Sequence, residues 1–122
     1  MEYLRSRATA VLVRDGMVLL VRDRRVASFA LPGGGIEDGE MPIIAVAREL
    51  REETTLQATS ITFLFNHGGK HNTHFVFRVE AEGDVNVAAD ADVEEFVWWD
   101  MNGDLPVFPH VLQILSRLDI GV

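Results

Sequence analysis

"GGIEDGEMPIIAVARELREETTL" runs from Gly34 to Leu56, and its second half reads as a helix. Pro42 suits a first helical position, where its missing N–H costs nothing. At about 100° per residue, Ile43, Ala47, Leu50 and Thr54 share one side, with Ile44 nearby. Glu49, Glu52 and Glu53 fall within an arc of about 100° on the opposite side, and Ala45 and Pro42 continue that arc towards the glycines. The pattern predicts an amphipathic helix over 42–54, with a carboxylate stripe pointing away from the core. Like charges at i, i+4 repel. The stripe is therefore either an ordinary solvated face or a place where a cation neutralises it. Glutamate is a good helix former and exposed acidic faces are common, so the three acids alone favour the bland reading. The glycine-rich entry shifts the balance. Carboxylate and carbonyl oxygens are what Mg²⁺ takes, usually together with waters and substrate phosphates.

The chain has 122 residues, 48% of them hydrophobic. That is enough for one domain with its own core, and we read residues 1–122 as a single domain. With 11 basic and 19 acidic residues the net charge is −8, which disfavours a nonspecific nucleic-acid binder. A polyanionic substrate would then need a bound cation to reverse the local field. There is no cysteine, which excludes disulfides and thiolate zinc sites. The apolar runs fall far short of a membrane span, and "MEYLRSRATAVLV" reads as a strand and not a signal peptide. The expectation is a soluble, cytoplasmic protein.

"TAVLV" and "MVLLV" flank Asp15-Gly16, a pair that takes the positive φ angles of a two-residue hairpin. "FALPGGGIEDGE" is a loop. Strands over 59–66 and 72–82 are expected to form a second hairpin around Gly68-Gly69. "VEEFVWWD" is a further short strand. Trp98 and Trp99 there point to opposite faces, so at most one is expected in the core. "FPHVLQILSRL" closes as a helix with Val111, Leu112, Leu115 and Leu118 on one face. The fold class expected is mixed α/β (α+β), a mixed sheet sandwiched between helices.

Gly34 to Leu56 resembles the Nudix box. That pattern is Gly, five residues, Glu, seven residues, then Arg-Glu-apolar-any-Glu-Glu-any-Gly-apolar. Gly34 and Glu40 fit its first part, and Arg48, Glu49, Leu50, Glu52, Glu53 and Leu56 the rest; "LPGG" before it matches the usual entry. One position departs: Thr55 stands where the family has glycine, at a helix exit that favours a left-handed residue. A β-branched Thr dislikes φ > 0, so either the helix ends differently or the geometry shifts.

The resemblance implies the Nudix α/β/α sandwich and hydrolysis of a nucleoside diphosphate linked to another group, with Mg²⁺ or Mn²⁺. Carried over by position, Glu49 and Glu53 are the first choice as direct metal ligands. Glu52 is a third ligand or the base that orients water, and the Gly33 carbonyl is an extra ligand. Arg48 fixes a carboxylate rotamer, and Glu40 supports the shell at second hand. Among the acids of "DADVEEFVWWD" (Asp92, Glu94 and Glu95), Glu94 is the choice for a recruited loop acid, set against a plain solvated loop. Arg7, Arg22, Gly34, Lys70 and Phe29 are candidates for contacting substrate, Phe29 against the stronger alternative of core packing. His67, His71 and His74 suggest zinc, but their spacing matches no zinc signature.

Markers of the ADP-ribose and dinucleoside-polyphosphate subfamilies are absent, since no proline lies between Pro42 and Pro106 and the only tyrosine is Tyr3. The chain looks most like the nucleoside-triphosphate group, although "VFPHVLQIL" lacks the asparagine of purine-selective relatives. An ADP-ribose or nucleotide-sugar pyrophosphatase is the alternative, and a Nudix-like binding module without turnover is the alternative of another class. A calcium-binding module fits poorly, because no EF-hand spacing exists. The partner expected is a small nucleotide and neither nucleic acid nor membrane; a homodimer rests on resemblance.

Overall fold

The computed structural model describes residues 5–87 and 91–118. Strands β1 (Arg5–Val11), β4 (Gly33–Gly35), β5 (Gln57–Gly68) and β6 (Asn72–Glu82) form one sheet in the order β4-β1-β6-β5. Strands β2 (Val13–Arg14), β3 (Met17–Asp23) and β7 (Val93–Trp99) form a second, in the order β2-β3-β7. The β1–β6 pair is parallel and the other named pairs are antiparallel, so the first sheet is mixed as expected. Helices α1 (Pro42–Thr54) and α2 (Pro109–Ser116) contribute to separate cores.

Alternation along β1 shows how the layers arise. Ala8 and Ala10 face a core shared with Ala45, Val46 and Leu50 of α1, while Val11 faces the core shared with Val111, Ile114 and Leu115 of α2. Alanines under α1 let the helix come close to the strand. The 59–66 and 72–82 hairpin forms as expected, with β5 somewhat longer.

Four expectations are corrected. Asp15 (φ 53°) and Gly16 (φ 75°) do make the tight turn, but only Val13–Arg14 pair with β3 across it. The body of the first strand belongs to the other sheet, because an apolar run covered on both faces suits a central strand better than an edge hairpin. On α1 the buried residues are Ala45, Val46, Leu50 and Thr54, whereas Ile43 and Ile44 are exposed. The helix is rolled from the expected face so that its small residues meet β1. On α2, Ile114 is buried and Leu112 is exposed, so the inward face is 111, 114, 115 and 118. Finally, both tryptophans pack inward: Trp98 against the α1 core and Trp99 in the α2 core, since the sheet has a core on each side.

The exit of α1 answers the question posed by Thr55. It adopts φ 66° and ψ 0°, the left-handed conformation that glycine usually supplies, and its N–H donates to the Arg51 carbonyl at 2.9 Å. Around it the backbone is well bonded. The Thr54 hydroxyl donates to Leu50 O at 2.6 Å and accepts from the Leu56 N–H at 3.2 Å, and Asn86 N–H donates to Thr54 O at 2.9 Å.

Candidate active site

The roll of α1 changes where its acids point. Glu49 and Glu53 do not face away from the protein; they lie against β4, where glycines make room. A side chain at Gly34 would collide with the Glu49 carboxylate, and one at Gly33 would strike the Ala8 backbone. Gly33 N–H instead donates to Glu53 Oε1 at 2.8 Å. Burial pushes the Glu53 carboxyl up to about 8, reinforced by the charges of Glu49 and Asp23 and opposed by the Gly33 N–H and Arg7. Glu49 is also raised, chiefly by burial, with Arg48 acting the other way. Glu52, one position off this line, is exposed.

Arg48 organises the outer side. It grips Glu40 with both branches, Nε to Oε2 at 2.8 Å and Nη2 to Oε1 at 2.9 Å. Its Nη1 donates to Glu49 Oε1 at 3.0 Å and reaches Glu52 at 3.4 Å, while Nη2 donates to Gly35 O at 3.2 Å. Bidentate pairing of this kind fixes geometry as well as charge. The pairing with Arg48, then the Glu37 N–H, hold Glu40 down at about 2.

On the inner side a cavity of about 340 Å³ is lined by Arg7, Gly33, Gly34, Glu49, Glu53 and Asp92 among others. A neighbouring one of about 410 Å³ is lined by Glu49, Glu52, Glu53, Ala91 and Asp92. Glu49, Glu53 and Asp92 are thus a common wall. Arg7 reaches into the first cavity from β1. Its Nη2 donates to Gly33 O at 3.3 Å, while its Nε is buried without a hydrogen-bond partner.

The other expected site residues scatter. Glu94 and Glu95 point to Arg22, at 3.2 and 2.8 Å, and Glu94 lines neither cavity. The loop acid that the fold brings to the box is Asp92, one residue before β7, where the chain has not yet entered the strand alternation that turns Glu94 outward. Arg22 is committed to those acids and to Val26 O at 2.9 Å. Phe29 is buried in the α2 core. Lys70 lines a separate pocket of about 380 Å³ with His71, His74, Phe108 and His110. Asp23, at the end of β3, joins the first cavity and had no distinguishing signal in the sequence.

The histidines of the hairpin form a stack. His74 shares a 2.8 Å hydrogen bond with Thr9 and lies over His110, whose ring in turn faces Phe108. His67 bonds Gln113 at 3.1 Å. Among the described residues no three His, Asp or Glu side chains are placed to hold a metal by themselves. For the histidines this leaves the zinc reading without support. A hard cation such as Mg²⁺ takes one or two carboxylates and completes its shell with water and phosphate. The donors fit such an ion: all are oxygens, and Glu53 is a desolvated acid that forms no ion pair among the described residues.

A model of the NUDIX domain matches residues 4–106. The chain belongs to the Nudix family, whose hydrolases act on nucleotide anhydrides and generally need a divalent metal. It is 33% identical over 112 residues to the 8-oxo-dGDP phosphatase NUDT18 of Danio rerio, covering 86% of this chain and 34% of that protein. The chain therefore spans about a third of that relative's length. It is 32% identical over 111 residues to the ADP-ribose pyrophosphatase of Methanocaldococcus jannaschii, covering 82% of this chain and 64% of the other. The MutT NUDIX hydrolase of Burkholderia pseudomallei has a similar structure, with a TM-score of 0.83, 26% identity, and coverage of 96% and 99%. No helix among the described residues is long and apolar enough to cross a membrane.

Proposed function

We propose that the chain hydrolyses a nucleoside triphosphate to the monophosphate and pyrophosphate, using Mg²⁺, with Mn²⁺ as a substitute. The observation that carries this is the mixed charge of one cavity. Glu53 is a desolvated acid with no ion pair among the described residues, the half-buried Glu49 lies beside it, and Arg7 is a guanidinium whose buried Nε has no hydrogen-bond partner. A metal-bound phosphate chain satisfies both at once. When bound, the cation neutralises phosphate charge and makes a bound water more acidic.

The chain's own groups do the rest. Glu49 and Glu53, with the Gly33 carbonyl, would hold the ion, and water and phosphate would complete its shell. Arg7 binds a phosphate oxygen, and Gly34 leaves room for the Glu49 carboxylate. Glu52 or Asp92 orients the attacking water, both lying at the outer cavity. Arg48 keeps Glu49 aimed while Glu40 keeps Arg48 still. The likeness to an 8-oxo-dGDP phosphatase supports a nucleotide substrate; the likeness to an ADP-ribose pyrophosphatase favours a second reading, an ADP-ribose or nucleotide-sugar pyrophosphatase.

A panel of ordinary and oxidised nucleoside di- and triphosphates, ADP-ribose, nucleotide sugars and dinucleotides with Mg²⁺ tests this, reading released phosphate or pyrophosphate. Triphosphates should turn over best, and faster towards alkaline pH, as a deprotonated water or carboxylate requires. Preference for ADP-ribose installs the second reading. Binding without turnover on every substrate sinks both and leaves a nucleotide-binding module.

A further inference from the structure

A further cavity adjoins the cleft at the end of β3. It measures about 350 Å³ and is lined by Asp23, Arg24, Arg25, Val26 and Asp92. Asp23, Val26 and Asp92 also line the cavity of Arg7 and Glu53, so the two meet along these residues. Their charges differ. Among the described residues, Arg7 is the one cation against Asp23, Glu49, Glu53 and Asp92 in the first, and no cation lines the cavity of Glu52. At the end of β3 two arginines balance two acids. In a chain of net charge −8, this is the end of the cleft least hostile to an anion.

The turn that carries these arginines is fastened on three sides. Val26 N–H donates to Asp23 O at 3.3 Å and closes it. Arg22 Nη1 donates to Val26 O at 2.9 Å, and Arg22 is itself held by Glu94 and Glu95. Arg24 ties the turn to the loop of Asp92, its N–H donating to Asp92 O and its Nε to Ala91 O, both at 3.0 Å. Arg25 is different. It is exposed, and its guanidinium makes no hydrogen bond or ion pair among the described residues. An uncommitted guanidinium on a well-anchored turn is a preorganised ligand for an anion.

The chemistry of the cleft indicates which anion. Guanidinium pairs with phosphate through two parallel hydrogen bonds. A terminal phosphate carries most of a second charge near neutral pH, which a phosphate esterified on both sides lacks. A polyphosphate held by Arg7 at one cavity has its free end directed to the next cation along the shared wall. Resting on the triphosphate reading above, we infer that the Asp23–Val26 turn is the subsite for the terminal phosphate. Arg25 makes the contact, and Arg22 and Arg24 position the turn. The subsite favours a substrate with a free phosphate end over ADP-ribose or a nucleotide sugar, whose diphosphate is esterified at both ends.

Calorimetric titration of the whole chain with inorganic tripolyphosphate and Mg²⁺ tests the subsite without turnover, alongside Arg25→Gln. The position is exposed, and a thermal melt establishes that the variant folds. Arg25→Gln should weaken tripolyphosphate binding by about tenfold, the low end for a charge-assisted hydrogen bond. With the triphosphate that turns over best, it should raise KM about tenfold more than it raises the KM or inhibition constant of ADP-ribose, and kcat should move much less than KM. A wild type that turns over ADP-ribose alone, yet binds tripolyphosphate through Arg25, fails the triphosphate reading and supports the subsite. A wild type that does not bind tripolyphosphate overturns the inference. So does binding that Arg25→Gln leaves unchanged, or an equal shift for the triphosphate and ADP-ribose.

Discussion

Glu53 in the cleft and His74 beneath α2 have both lost most of their water, with opposite results. Burial pushes the Glu53 carboxyl up to about 8, whereas it pulls the His74 imidazole down to about 4, helped by the nearby charges of His110, Arg7 and His67. His110 is lowered to about 4 as well, again chiefly by burial. Desolvation disfavours the charged form in each case. The difference lies in what the neutral form can do. A neutral His74 bonds Thr9 and stacks on His110, so the stack is complete as it stands. Glu53 has one N–H from Gly33 and a second carboxylate beside it, and on the reading proposed above a cation completes the cleft.

The largest expected effect is on turnover. Glu53→Gln should lower it at least about a hundredfold, as loss of a direct ligand would. It should also raise the stability of the metal-free chain at pH 8, because a buried charge is removed. Near wild-type turnover at saturating Mg²⁺ would break the contrast, making Glu53 as purely structural as His74.

Arg7 sits between the two regions, cross-strand from His74 and lining the cavity of Glu53. Arg7→Gln should reduce kcat/KM by about tenfold to a hundredfold, the worth of a charge-assisted hydrogen bond to phosphate. Thermal melts of the same variant locate the allegiance of the side chain. An unchanged kcat/KM with a large loss of stability would assign Arg7 to the fold and remove the anion half of the proposal.

pH separates the regions without a measurement of activity. For Glu53 the folded pKa is raised above the ordinary 4.5, so the folded state binds more protons between pH 4.5 and about 8. That stability is fully present below 4.5 and lost as pH rises towards 8. For His74 and His110 the folded pKa is lowered from 6.5 to about 4, so their contribution is present above 6.5 and lost as pH falls to 4. In EDTA the Tm should therefore peak between the two limbs and drop by several degrees on each side. Mg²⁺ should rescue the alkaline limb only, and His110→Phe should flatten the acid limb only. A Tm that rises steadily from pH 5 to 8 in EDTA contradicts the account of Glu53.

How much of this the sequence revealed depended on whether a feature is local. The box, the helix that carries it and the β5–β6 hairpin are written in short-range spacing, and they were legible. Which way α1 rolls was not, because it depends on Ala8 and Ala10 of a distant strand and on the space above Gly33 and Gly34. That roll turned Glu49 and Glu53 inward. The choice between Asp92 and Glu94 hinged on where β7 begins, a matter of one or two residues, and boundaries are the least legible feature of all. The histidine stack joins β1, β6 and α2, so no stretch of sequence contains it.

The smallest expected effect concerns strain. Thr55 holds φ 66° only two residues after Glu53, a conformation costly for a β-branched side chain. The hydrogen bonds of Thr54, Leu56 and Asn86 oblige the chain to turn there whatever residue is present. Thr55→Gly should relieve the strain but add freedom to the unfolded chain, leaving a net gain of about 0.5–1 kcal/mol, read as a rise in Tm. Turnover then decides what the strain is for. If Thr55→Gly stabilises and leaves kcat unchanged, the strained cap is incidental and the cleft rests on Arg48 and the β4 glycines. If it stabilises and kcat falls, the cap itself holds Glu52 and Glu53 in place, and the cleft relies on backbone strain that the histidine stack does not need.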